Sequence, residues 1–550
     1  MQKTPAEMLV ESFQNPEFAR RACLIDAGSL RRLSYSDMDY ETSLVAGILK
    51  SFYARPGDTV SLLLENGLHF FAPWLGAMRI GAVAHPINCL YTPTQIVYAL
   101  KLCETKILVA QERYVWDDKK NAPSELLRIL RKIFPEMPIL VTHDPQRFES
   151  LKKEKGAGWL GSYSWSTLTK LAKPYDHIVH RYPEDTFQLI CTSGTTGNPK
   201  AVAQTNSMFL PDVEALVKTY SLSGDDRTLL INRLFHVNAQ VTNFFPMALL
   251  GGTTILASPD PKKFLKAIAR WGITYSSVIP PTLKEILKHG IPEKEKLKNL
   301  RFVIVGADKL TRELHREFMS RTGIRVRPGW GMTETLCWGS GTAADEPVMY
   351  GSIGKPFDIT EMKILNTETG EETKPNENGL LIIRGPNVFT EYFKNPEATK
   401  KAFSPHPKWQ GWFDTGDLCY RDSRGTFYWV ARSSADTWKV RGEFVVGPLI
   451  DEYVEQYPEV DQAMAVPVIL GGETETALCV VLKQQNAEHG HELLLDIFEK
   501  KILEYCEAGR NQGKLQKHYK IKKVIFVTKI ELGDTGKRSR KKMAELAAAL

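Results

Sequence analysis

No apolar run in this 550-residue chain approaches the roughly 20 residues that a helix needs to span a bilayer. The eight cysteines are scattered, with no Cys-x-x-Cys pair. That spacing counts against a zinc site and a disulfide framework, and it favours a reducing compartment. Strong charge is missing too: a net charge of +7 over so large a surface is too mild to predict a nucleic-acid partner. Met1 to Glu11 carries no apolar block of the kind a secretory signal requires. No internal repeat marks a solenoid. The expectation is a cytoplasmic protein with no membrane span and no nucleic acid bound.

What is present is globular. Hydrophobic residues make up 43% and charged residues 25% of the chain, which is too long for one ordinary core. Thr59 to Leu64, Ala82 to Ile87, Thr228 to Ile231, Thr253 to Ala257, Ser276 to Pro280 and Phe302 to Gly306 read as buried strands. Helical patterns such as Phe70 to Ala82 lie between them. Alternation of this kind predicts an α/β fold with a mostly parallel sheet and crossover helices. Past 345 the pattern shifts to shorter strands, such as Gly379 to Gly385. A boundary is expected near 430–437, leaving a small C-terminal domain. The basic run Lys537 to Lys542 reads as a solvated helix face.

One stretch organises the rest: Cys191-Thr192-Ser193-Gly194-Thr195-Thr196-Gly197-Asn198-Pro199-Lys200. It follows the strand-like Phe187 to Ile190. Glycines allow a tight turn and a close approach to a ligand. Backbone N–H groups and hydroxyls in such a turn can cradle phosphate oxygens, and Lys200 adds a mobile cation. The order is not that of a Walker A loop. The competing reading of the stretch alone, a polar surface turn, is the weaker of the two.

Three further segments invite a similar reading. In Gly329-Trp330-Gly331-Met332-Thr333-Glu334-Thr335, an aromatic between glycines can stack on a base and a carboxylate can hold Mg²⁺. A Trp in a Gly turn is also ordinary packing. In Gly411-Trp412-Phe413-Asp414-Thr415-Gly416-Asp417-Leu418, Asp417 can accept ribose hydroxyls or close an Asx turn. Arg432 is either a nucleotide contact or a surface charge.

Taken together and in order, these motifs and the C-terminal Thr535-Gly536-Lys537 resemble the adenylate-forming superfamily of acyl-CoA synthetases, peptide-synthetase adenylation domains and beetle luciferases. The resemblance runs over nearly the whole chain. It implies residues 1–431 as a large layered N-terminal domain with a β-rich part, a hinge at 432–436, and a small mobile α+β domain at 437–550. It also implies a two-step reaction: a carboxylate attacks the α-phosphate of ATP, releasing pyrophosphate, and a thiol then displaces AMP. By the same resemblance, Thr192, Ser193, Gly194, Thr195, Thr196, Gly197 and Lys200 hold the β- and γ-phosphates. Trp330 and Gly331 face the adenine, beside Gly306, Ala307 and Asp308 at a strand end. Thr333 touches the α-phosphate and Glu334 binds Mg²⁺. Asp417 and Arg432 take the ribose, and Lys537 bridges carboxylate and α-phosphate.

The departures are Ala201 after the loop lysine, a hinge region from Arg432 to Lys439 one residue longer than usual, and Glu531-Leu532 before the terminal motif. In Phe235-His236-Val237-Asn238-Ala239-Gln240, His236 stands where peptide-synthetase domains usually carry an Asp. It is expected beside the reacting groups or else as a packed core histidine. Trp338 and Trp330 are expected to shorten the acyl pocket, and Asn238, Gln240, Asp308 and Lys309 to make it polar. Three functions follow: an acid–CoA ligase for a small or polar acid, a stand-alone amino-acid activator (of glycine, for instance) that loads a carrier protein, or a nucleotide-binding module without turnover. The thiol acceptor is accordingly CoA or carrier-protein phosphopantetheine.

Overall fold

The computed structural model describes residues 3–550 except 118, 120–121, 143–161, 193–198, 289–296, 368, 404, 433–435, 441–442, 484–491 and 534–537. The chain forms two compact units. The first comprises residues 1–194, 198–362 and 383–404; the second comprises 195–197, 363–382 and 405–550.

Two sheets organise the first unit. A seven-stranded sheet runs in the order Lys200–Thr205, Thr186–Thr192, Val83–Pro86, Thr59–Leu63, Thr105–Gln111, Ile139–Thr142 and Ser162–Ser164. Its strands pair in parallel apart from the antiparallel hairpin that joins the first two. The core of the nine-stranded sheet, Val326–Trp330, Phe302–Val305, Tyr275–Val278, Arg227–Leu230, Thr253–Leu256 and Ala22–Asp26, is parallel throughout. Strands covered on both faces carry unbroken apolar runs rather than alternation. Phe302–Val305 and Thr59–Leu63 are buried at every position, as that rule requires.

The apolar stretch 241–250 departs from a plain helix. Asn238–Phe244 is a π-helix that passes into the α-helix Phe245–Leu250. Its aromatics pack on the helix Leu68–Arg79, with Phe71 and Phe244 centroids 4.7 Å apart and Trp74 and Phe245 5.0 Å apart. π-turns inside helices collect at functional sites because they offset side chains that a regular helix would stack.

The second unit pairs a four-stranded sheet containing Phe413–Arg421 and Phe427–Arg432 with a three-stranded sheet, Val460–Leu470, Glu473–Leu482 and Ile521–Phe526. The helices Gly447–Val454 and Arg540–Ala549 both pack on Val460–Leu470. The basic tail is not a solvated face throughout: Arg540 is buried, with its Nε 2.9 Å from Asp436 and an Nη 2.7 Å from Asp451. A guanidinium facing two carboxylates can be buried where an unpaired one cannot. Among the described residues, no helix is long and apolar enough to cross a membrane.

Candidate active site

The antiparallel hairpin Thr186–Thr192 and Lys200–Thr205 carries the phosphate-loop candidate at its tip, with Thr192 paired to Lys200. Ser193, Gly194, Thr195, Thr196 and Gly197 lie outside the described residues. The segment around Tyr392 runs along Lys200–Thr205, with Val202 bridged to Tyr392 and Phe393 N donating to Ala201 O at 2.8 Å. This brings three groups into a row. Lys200 Nζ lies 4.6 Å from the centroid of the Tyr392 ring. The Tyr392 hydroxyl donates to Glu334 Oε1 at 2.9 Å. Glu334 is buried, and its carbonyl accepts from Phe389 N at 2.8 Å. A tyrosine that donates to a buried carboxylate stabilises the ionised form and fixes its direction. One fixed carboxylate is the protein share that Mg²⁺ accepts when water and phosphate supply its other oxygens. Glu334 fits that ion.

The turn that presents Thr333 and Glu334 is strained. Leu336 has φ 55° and ψ −54°, and Cys337 N donates back to Thr335 O at 2.6 Å, which closes a γ-turn. Such a conformation costs of order 1–3 kcal/mol unless its surroundings over-determine it. Gln204 does so: its Nε2 donates to Thr333 O at 3.0 Å and Leu336 O at 3.2 Å. The amide is itself held, because Gln204 Oε1 accepts from Gln188 at 2.9 Å. Gln188 takes Trp74 Nε1 at 2.7 Å and donates to Gln240 at 2.7 Å. Only glycine fits at Gly331, where a Cβ would stand 1.9 Å from Cys337 O.

Not every expected residue lies where the motif reading puts it. Trp330 is walled in rather than displayed, 7% exposed, with its ring edge over Gly339 and Ile383 close by. Gln240 faces the core; its amide meets Gln188 and donates to Leu234 O at 2.7 Å, so it does not line a pocket. Asn238 Oδ1 accepts from Asn232 at 2.6 Å and Ser277 at 2.9 Å. His236 is half-buried at the entry to the π-helix, its ring 4.4 Å from that of Phe235. Gly306 is buried at the end of Phe302–Val305, whereas Ala307 and Asp308 are exposed. Ala307 holds φ 69°, a left-handed value for a non-glycine residue at a strand end. Asp417 and Arg432 face each other in the second unit, paired across the strands with Arg432 Nε 3.0 Å from a buried Asp417 Oδ1. Lys537 lies outside the described residues.

A buried carboxyl missed in the motifs sits behind Trp338. Asn387 Nδ2 bridges Asp212 Oδ1 at 3.1 Å and Trp338 O at 2.6 Å. Burial pushes the Asp212 carboxyl well above its usual range despite the Asn387 bond. Above about pH 4 the unfolded chain releases this proton while the folded chain keeps it, so stability falls as pH rises through that window. Asp212→Asn, which mimics the protonated form, is expected to be more stable than the wild type at pH 7. The gain should shrink towards pH 4. Unfolding midpoints measured across pH 4–8 test it, and a variant that is less stable by a constant margin would show that Asp212 is charged in the fold.

A family model described as AMP-binding enzyme matches residues 13–393. The chain belongs to that family. It is an ATP-dependent acid–thiol ligase that works through an acyl-adenylate. It is 28% identical to 4-coumarate–CoA ligase-like 4 of Oryza sativa subsp. japonica over 542 residues, 96% of this chain and 90% of that protein. It is 26% identical to crotonobetaine/carnitine–CoA ligase of Proteus mirabilis over 456 residues, 80% of this chain and 82% of that protein. The fold matches the crystal structure of an anthranilate CoA ligase in complex with anthranoyl-AMP, with a TM-score of 0.82 at 22% identity, covering 100% of this chain and 98% of that one.

Proposed function

We propose that this ligase activates a small or polar carboxylic acid and passes the acyl group to the phosphopantetheine thiol of CoA. The observation that carries the substrate reading is Trp338. Its indole is buried, Nε1 donates to Thr242 Oγ1 on the π-helix at 2.9 Å, and the ring occupies the space above Gly306 and Gly329. A Cβ at Gly329 would lie 2.6 Å from that ring, so the two glycines exist to admit it. An indole fixed at the ends of Phe302–Val305 and Val326–Trp330 would shorten the space for the acid. The CoA ligases among its relatives support CoA as the acceptor.

In this reading Lys200 and Thr192 hold phosphate oxygens, and Thr333 meets the α-phosphate as charge develops there. Glu334, aimed by Tyr392, would hold Mg²⁺, which when bound would neutralise phosphate oxygens. Donors fixed in advance cost no reorganisation at the moment of reaction. The strained, Gln204-clamped turn provides such fixation for Thr333 and Glu334. Asp417 and Arg432 bind the ribose, and Lys537 brings the attacking carboxylate to phosphorus.

Each methylene of substrate is worth about 1–3 kcal/mol in a fitted pocket. Short-chain and polar acids, glycine included, are therefore expected to outrun octanoate and longer acids in pyrophosphate release. Trp338→Ala should move the preference towards longer chains. If the wild type prefers long-chain acids, or Trp338→Ala leaves the preference unmoved, the short-pocket reading fails. Thioester yield with CoA against a phosphopantetheinylated carrier protein tests the acceptor.

A further inference from the structure

Two cysteines and a histidine remote in sequence meet in the seven-stranded sheet and at the cap of a neighbouring helix. His85 lies on Val83–Pro86, and Cys191 on the adjacent parallel strand Thr186–Thr192. Cys103 is the C-cap of the helix Pro93–Leu102, whose start is fixed by a capping box of Thr92 and Gln95. Cys191 Sγ lies 3.6 Å from His85 Nε2 and 3.9 Å from Cys103 Sγ. The three ligand atoms all fall within 4.8 Å of one another. We propose that His85 Nε2, Cys103 Sγ and Cys191 Sγ form a Zn²⁺ site, separate from the Mg²⁺ and ATP chemistry of the ligase.

The geometry argues for it. Zn–S bonds of about 2.3 Å and Zn–N bonds of about 2.0–2.1 Å in a tetrahedron put two sulfurs about 3.8 Å apart and sulfur and nitrogen about 3.5 Å apart. The two separations from Cys191 Sγ, 3.9 Å to sulfur and 3.6 Å to nitrogen, already match those spacings, and the third lies within 4.8 Å. Zinc-binding histidines usually anchor the other ring nitrogen, which sets the tautomer. Here His85 Nδ1 lies 2.8 Å from Ser61 Oγ, which in turn lies 2.6 Å from Thr105 Oγ1. When the Ser61 hydroxyl donates to Thr105 Oγ1, Ser61 Oγ accepts from Nδ1–H, which leaves the Nε2 lone pair facing Cys191. His85, Cys103 and Ser61 are buried and Cys191 is half-buried, which shields the three donors from bulk water. Two thiolates and Zn²⁺ make a neutral cluster, which a low-dielectric interior tolerates where an isolated charge is costly. Two thiols and an imidazole form a soft donor set that suits zinc and not Mg²⁺.

The spacing of cysteines along the sequence argues against zinc only because it ignores strand order. The sheet brings together residues 85 and 191, and the helix cap adds 103.

The test uses the full chain, freshly reduced. One equivalent of Zn²⁺ is expected to bind in competition with a chromophoric chelator and to raise the thermal midpoint. Co²⁺ in its place should give a thiolate-to-cobalt charge-transfer band and tetrahedral visible bands. Cys103→Ser and Cys191→Ser should each lose the band and the zinc-dependent stabilisation. Ser61→Ala should weaken Zn²⁺ by 10–100-fold while keeping the band. Folded wild type that gives no thiolate band overturns the proposal whatever the variants do. So does undiminished zinc binding in Cys191→Ser. A Cys103–Cys191 disulfide under air, with no zinc taken up after reduction, would show the pair to be a redox couple instead.

Discussion

Arg540→Ala is expected to destabilise the second unit by about 3–5 kcal/mol, the usual cost of leaving a buried charge without its partner. Arg540 Nε holds Asp436 at 2.9 Å and an Nη holds Asp451 Oδ2 at 2.7 Å, while another donates to Ala465 O. Asp451 is buried, and burial raises its carboxyl even with Arg540 beside it. Its other oxygen accepts from Ala465 N at 2.6 Å, so the carboxylate cannot swing out to solvent without losing a bond to the middle of the strand Val460–Leu470. Replacing both partners, as in Arg540→Met with Asp451→Leu, should recover much of the loss, because removing both charges removes the desolvation cost. Hydrogen exchange of amides in Val460–Leu470 and Glu473–Leu482 reads the stability of this unit directly. If Arg540→Ala leaves exchange unchanged, the pairs are spectators.

Neither Arg540 nor the zinc cluster was legible in the sequence, for one physical reason. Local pattern reports which face of an element is apolar, and both features depend on which elements become neighbours. The parallel strands were legible because burial on both faces leaves unbroken runs, as in Phe302–Val305. The run 241–250 shows the limit: apart from Thr242 and Asn243 it is apolar, with no periodicity, so nothing in it separates a π-turn from a regular helix or a strand.

The candidate site divides in the same way. Glycine, threonine and the Thr333-Glu334 pair announce themselves because a close approach to a ligand restricts residue type. The groups that aim them do not. Tyr392 lies 58 residues from the carboxylate it contacts, and Gln204 lies 129 residues from Thr333. Gln188 and Gln204 sit inside apolar strand runs, where a lone amide reads as an irregularity. In the fold they form a buried relay that ends on the γ-turn at Leu336. A buried polar network of this kind specifies one geometry because every alternative leaves a group unpaired.

Lys537→Ala is expected to slow acyl-adenylate formation by about 10²–10³-fold, the range for a lost transition-state electrostatic contact. ATP binding should be nearly unchanged. The assignment rests on the Thr535-Gly536-Lys537 motif, and the residues on either side suit it. Leu532 and Arg538 form an antiparallel bridge, and Ser539 N donates to Glu531 O at 2.9 Å. Arg538 is tied to Glu455 at 2.7 Å, and Arg540 follows with its two carboxylates. The described residues that flank Lys537 are thus tied to the rest of the second unit on both sides. A cation held ready for the attacking carboxylate acts without a long ordering cost. If that is its role, Lys537 serves the first half-reaction alone. Lys537→Ala should then still form thioester from synthetic acyl-adenylate and the thiol acceptor at close to the wild-type rate. Lys537→Arg should keep the charge but misplace it, with an intermediate loss. Pyrophosphate exchange and single-turnover thioester formation separate the two steps. Near-normal exchange in Lys537→Ala, or an equal loss in both half-reactions, would assign the attacking carboxylate's cation to another residue.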